Sequence, residues 1–69
     1  MNRLEQGCEC CQRGEYREAI AHFDQALLED ALCAKAWNYR GNALSGLKRF
    51  VEALSNYDRA TFLQPDYHQ

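Results

Sequence analysis

Residues 15–26 read EYREAIAHFDQA, and residues 49–60 read RFVEALSNYDRA. With a shift of 34, Glu18, Ala19, Asp24 and Ala26 recur as Glu52, Ala53, Asp58 and Ala60. Tyr16, Ile20 and Phe23 return as Phe50, Leu54 and Tyr57, so shape is kept where identity is not. A period of this length marks a repeated supersecondary unit that buries its apolar face only by stacking on a neighbour. In the second copy Phe50, Ala53, Leu54, Tyr57 and Ala60 lie at offsets 0, 3, 4, 7 and 10, along one face of an α-helix. Tyr16, Ala19, Ile20, Phe23 and Ala26 repeat the pattern in the first copy.

Each of these helices follows another helical stretch and a short turn. Residues 2–13 lead to Gly14-Glu15, and residues 34–47 lead to Lys48-Arg49. Connections of about two to five residues set neighbouring helices antiparallel. The expected architecture is therefore all-α: two helix-turn-helix hairpins, residues 1–33 and 34–69, giving four helices in one domain. Pro65 stands where the last helix should already have ended. The equivalent site in the first copy is Ala31, inside LEDALCAKAW at 28–37, where no Pro or Gly interrupts the pattern.

The bulk composition narrows the function. With 69 residues, 46% hydrophobic and 26% charged, the chain has the make-up of a small globular domain with a thin core. A net charge of −2 lacks the clustered Lys and Arg of a nucleic-acid or anionic-membrane binder. The charge is divided unevenly: residues 1–33 carry three basic and seven acidic side chains, and residues 34–69 carry five and three. MNRLEQGCEC has charges where a signal peptide needs an apolar run, and no run approaches membrane-spanning length, so the chain reads as cytoplasmic. Reduced thiols are then expected at Cys8, Cys10, Cys11 and Cys33.

With the period established, AWNYRGNAL at 36–44 resembles the tetratricopeptide repeat pattern. Trp37, Gly41 and Leu44 match its first block, Ala53 and Tyr57 its second, Ala60 a further small contact site and Pro65 its terminator. Gly7, Tyr16, Ala19, Phe23 and Ala26 match in the first copy, although Arg3 stands in place of Trp and Cys10 in place of a large apolar residue. The resemblance implies a short right-handed solenoid. Gly7 and Gly41 are expected to let paired helices approach, opposite Ala19, Ala26, Ala53 and Ala60. Trp37, Tyr57 and Phe23 should fill the wedge between helices as core, with Tyr16, Leu44 and Phe50. Arg40 replaces an expected Leu, and its head should reach an acid on the preceding hairpin such as Asp24.

Such arrays bind peptides or protein segments in a concave groove lined by the first helix of each hairpin. By resemblance the groove sites are Leu4, Glu5, Cys8, Cys11 and Gln12, with Lys35, Asn38, Tyr39, Asn42 and Ser45. The Lys and Asn clamp that holds acidic chaperone tails is absent, since Leu4, Cys8 and Tyr39 occupy its positions. Cys8 and Cys11 share a face, but no second ligand pair accompanies them, so neither a metal site nor any other cofactor is expected. His22 and His68 have no nucleophile at a recognisable spacing, and GNALSG at 41–46 lacks the Lys-Ser/Thr of a phosphate loop. The expected role is a protein-interaction module, not an enzyme. Alternatives are the docking or regulatory arm of a larger enzyme, such as a repeat-bearing glycosyltransferase, and a self-assembly module.

Arg3 and Gln6 are expected to form a polar N-terminal edge, whereas Leu54, Phe62 and Leu63 lack an obvious cover. At least three repeats are usually needed for stability. The sequence thus reads as the start of a longer array, or as a chain that pairs with another copy through its C-terminal face.

Overall fold

The computed structural model describes residues 2–65. Their regular structure is four helices: α1 (Arg3–Gln12), α2 (Tyr16–Glu29), α3 (Ala34–Gly46) and α4 (Phe50–Leu63). Helix α1 packs on α2, α2 on α3 and α3 on α4, and α1 also reaches α3. The chain is thus two helical hairpins in contact, as the 34-residue period implies. His68 lies outside the described residues.

Local chemistry sets the boundaries. Asn2 and Glu5 form a capping box at the start of α1: the Glu5 amide donates to Asn2 Oδ1 at 2.8 Å, and the Asn2 amide donates to Glu5 Oε1 at 3.3 Å. Both hairpin turns end the first helix in the same way. The Glu15 amide donates back to the Cys10 carbonyl and the Arg49 amide to the Leu44 carbonyl, each across a residue in the left-handed region. In the first turn that residue is Gly14, at φ 79°; in the second it is Lys48, at φ 64°. A side chain pays a steric penalty there that glycine avoids. Lys48→Gly is therefore expected to stabilise the chain by about 0.5–1 kcal/mol, read as a higher urea midpoint at unchanged slope.

The junction without Pro or Gly is resolved by a polar side chain. Helix α2 ends at Glu29, and Asp30 Oδ1 accepts from the Leu32 amide at 3.0 Å, turning the chain before Cys33 opens α3. The Trp37 indole N–H donates to the Ala31 carbonyl at 2.9 Å, tying α3 to that loop.

Phe23 and Leu44 are the largest fully enclosed side chains among the described residues. Phe23 sits with Cys10, Ala19 and Ala43, and the Tyr39 ring lies 6.0 Å away between centroids. At Gly7 and Gly41 the facing helix presents an aromatic ring. A Cβ on Gly7 would come within 2.3 Å of the Phe23 ring, and one on Gly41 within 2.7 Å of the Tyr57 ring. Each glycine clears space for an aromatic ring of the facing helix; Ala19 packs in the Phe23 cluster, and Ala26, Ala53 and Ala60 are also buried.

Three aromatic expectations need correction. Phe50 is 62% exposed and is not core, because no described helix covers it as α3 covers its counterpart Tyr16. Trp37 is half-buried at an edge, with the Arg59 guanidinium 5.3 Å above its ring; its N–H needs an acceptor, and the loop carbonyl supplying one is near the surface. Tyr57 is also only partly buried, and Pro65 is exposed just beyond α4.

Arg40 reaches Asp24 as its chemistry requires, with Nε 2.7 Å from Oδ1. It also has a second partner, since Nη1 donates to Asn56 Oδ1 at 3.0 Å. Asn56 is buried, and its Nδ2 donates to the Glu52 carbonyl at 2.8 Å. One guanidinium thus joins α2, α3 and α4. Arg40→Leu, which restores the apolar residue of the repeat pattern, is expected to destabilise by about 1–3 kcal/mol in urea unfolding, mainly by orphaning the Asn56 carbonyl. The half-exposed Asp24 adds little.

Candidate functional site

The spacing of α1 places Leu4, Glu5, Cys8, Glu9 and Gln12 on adjoining faces of one helix. Together with Asn2 and with Lys35 and Tyr39 of α3, they line a depression of about 450 Å³. A smaller one of about 190 Å³ is lined by Cys8, Cys11, Phe23, Tyr39 and Asn42. Cys8 and Tyr39 belong to both, so the two are neighbours on a surface shared by α1 and α3.

Eight of the ten residues expected in the groove line one or other depression. Asn38 does not: it is buried at 5% exposure, and its helical position turns it into the packing of α3 instead of onto the open face. Ser45 is only partly exposed, its Oγ lying 3.3 Å from Tyr57 Oη. Asn42 keeps its place but is held from behind, because the Tyr57 hydroxyl donates to its Oδ1 at 2.7 Å. That bond engages the amide oxygen and leaves the Nδ2 group as a donor. Asn2 and Glu9 are the additions. The N-x-x-E capping signal could have identified Asn2, and Glu9 stands one turn beyond Glu5.

The lining is polar at one end and soft at the other. Glu5 and Glu9 place two carboxylates beside one lysine, Lys35, and Glu9 is further screened by Arg13 at 3.6 Å. Burial pushes the Cys8 thiol up, with the Glu5 carboxylate adding to the effect. Cys11 is pushed up by burial and then by its cysteine neighbours. Both thiols therefore stay neutral to higher pH than a free cysteine, which makes this part of the groove an apolar, polarisable surface.

Cys10 points inward, 5% exposed, near Glu15 and Glu18, whose ligand atoms lie with its sulfur within 4.8 Å of one another. Burial and the Glu18 and Glu15 carboxylates push this thiol up as well, which opposes the thiolate that a soft metal requires. No helix among the described residues is long and apolar enough to cross a membrane.

Known proteins place this geometry in context. The tetratricopeptide repeat family matches residues 4–68. The Hsp70-Hsp90 organising protein of Plasmodium falciparum is 32% identical over 63 residues, which are 91% of this chain and 25% of that protein. Superkiller protein 3 of Schizosaccharomyces pombe is 37% identical over 51 residues, 74% of this chain and 4% of that protein. The chain spans a quarter or less of these relatives. The 34-residue period, the two packed hairpins and the extent of the match lead to one conclusion: the chain belongs to the tetratricopeptide repeat family.

Proposed function

We propose that this chain holds a peptide or an extended protein segment in the groove between α1 and α3, as a cytoplasmic interaction module that performs no bond chemistry and uses no cofactor. Membership of the repeat family supports a role in protein interaction in general. The observation that carries the finer reading is the convergence of Leu4, Glu5, Cys8, Gln12, Lys35 and Tyr39 on one open depression. Tyr39 supplies a rigid aromatic contact, Cys8 and Leu4 an apolar floor, and Gln12 with Asn42 donors and acceptors for a peptide backbone.

The charge selects the ligand. One relative is named for organising Hsp70 and Hsp90. In this chain Leu4, Cys8 and Tyr39 replace the basic and amide clamp, and Glu5 and Glu9 would repel an acidic tail. The preferred segment is therefore neutral or basic, with at least one apolar anchor.

The test uses peptides selected from a displayed random library on the 69-residue chain, followed by alkylation of the native chain. At about pH 8, iodoacetamide is expected to modify Cys8 and Cys11 more slowly than the unfolded chain, because the reactive thiolate is the minor form. A bound peptide slows both further, and Lys35→Glu alters which peptides are selected. Selected peptides that leave both alkylation rates unchanged would place binding elsewhere and discard this reading.

A further inference from the structure

Cys8, Cys10 and Cys11 crowd into one turn of α1, yet the helix divides them. Cys10 turns inward to 5% exposure and packs with Ala19, Phe23 and Ala43. Cys8 and Cys11 are half-buried free thiols, and together they line the smaller depression beside Tyr39 and Asn42. Burial pushes the Cys11 thiol up and Cys8 is the next cause, so the two side chains lie within each other's electrostatic reach. Cys33 opens α3 and lines a different depression, with Arg3, Ala26 and Glu29.

Helix geometry brings the first pair together. Residues three apart on an α-helix are neighbours on one face, whereas residues one or two apart do not face each other. Their Cα atoms stand about 5 Å apart, inside the span of about 4.4–6.8 Å that a disulfide bridges. Their Cβ atoms, at about 5–6 Å, must close by about 1–2 Å to reach a disulfide's separation. The end of α1 can supply that movement, since the helix stops at Gln12, one residue after Cys11, and Gly14 follows in the left-handed region. A bond formed this way is strained, and strained disulfides are readily reduced.

We propose that Cys8 and Cys11 form a reversible dithiol-disulfide site that is oxidised by small organic disulfides. Cys8 lines both neighbouring depressions and Cys11 only the smaller, so Cys8 is the sulfur that meets the reagent and Cys11 the one that resolves it. The Cys8 thiolate attacks one sulfur of the small disulfide, forming a mixed disulfide and expelling one thiolate. The Cys11 thiolate then attacks the Cys8 sulfur, closing the bond between the two cysteines and expelling the second thiolate. The two cysteine protons pass through solvent to the departing thiolates, so the chain loses two hydrogens and the small disulfide becomes two thiols. This chemistry needs no peptide in the groove and does not depend on the peptide reading.

The test exposes the native 69-residue chain to excess hydroxyethyl disulfide at about pH 8, quenches with acid, and reads intact mass and fragment maps. The expected product has lost two hydrogens, links Cys8 to Cys11 in at least about tenfold excess over every other pair, and leaves Cys10 and Cys33 open to alkylation after unfolding. Dithiothreitol restores the starting mass. Cys11→Ser should instead keep a hydroxyethyl adduct on Cys8, and Cys8→Ser should show no loss of two hydrogens; circular dichroism confirms that both variants keep the native helix content. A stable adduct on the native chain, closure through Cys10 or Cys33, or a loss of two hydrogens by Cys11→Ser overturns the proposal. In concentrated urea the preference for Cys8 and Cys11 should fall severalfold. An unchanged preference there would assign the pairing to closeness in sequence alone and overturn the role of the helix.

Discussion

Replacing Phe23 by Ala is expected to cost about 3–5 kcal/mol and to leave a large fraction of the chain unfolded at room temperature. The side chain is fully enclosed, and its ring is the one surface against which Gly7 of α1, Ala19 of α2 and Tyr39 of α3 all pack. Truncation removes the transfer free energy of the ring and leaves a void bounded by three helices. A chain this small, at roughly 0.05–0.15 kcal/mol per residue, has only about 3–10 kcal/mol of total stability to lose. Far-ultraviolet circular dichroism in urea checks the expectation. A native-like midpoint for Phe23→Ala would show that the hairpins are held together elsewhere.

The second large effect is Gly7→Ala, in which a single methyl group is added. Alanine gains about 1 kcal/mol of helix propensity over glycine, which taken alone predicts stabilisation. The Cβ, however, lands 2.3 Å from Phe23 Cε1 and 2.7 Å from Cζ. The ring is fully enclosed, with Cys10, Ala19 and Ala43 packed in the same cluster. Overpacking of this kind costs about 1–3 kcal/mol or more, so the net expectation is a loss of about 2 kcal/mol. Shortening the obstacle should relieve it: in a Phe23→Leu background, Gly7→Ala should cost clearly less than in the native chain. Additive effects of the two substitutions in urea unfolding would rule out the proposed contact. The same change at Gly41 should cost less, because the facing Tyr57 ring is partly exposed and can tilt, at the expense of its bond to Asn42.

Helix periodicity is a local property, and the helices and hairpin turns follow from it directly. So does the inward placement of Cys10, Ala19, Ala53 and Ala60, since side-chain direction along a helix depends only on register. The reach of Arg40 to Asp24 was legible for a related reason: a charge at an apolar register needs a partner within a side chain's length. Its second bond, to Asn56, was not legible, because it depends on how α3 and α4 are rotated about each other. The groove was legible as a set of α1 and α3 positions, but the removal of Asn38 was not. A polar residue at that register reads as surface until packing encloses it.

By itself, the order of residues determined that this chain repeats a two-helix unit, where the hairpin turns fall, and which face of each helix is apolar. Those features need only backbone geometry and the chemistry of near neighbours. Tertiary structure alone decided that the glycines make room for rings and that Phe50 lies open while its twin Tyr16 is covered. It also decided that Glu9 joins Glu5 and Lys35 in lining one depression. Such outcomes depend on which helix arrives opposite, and that is a property of the packed pair that neither helix encodes alone.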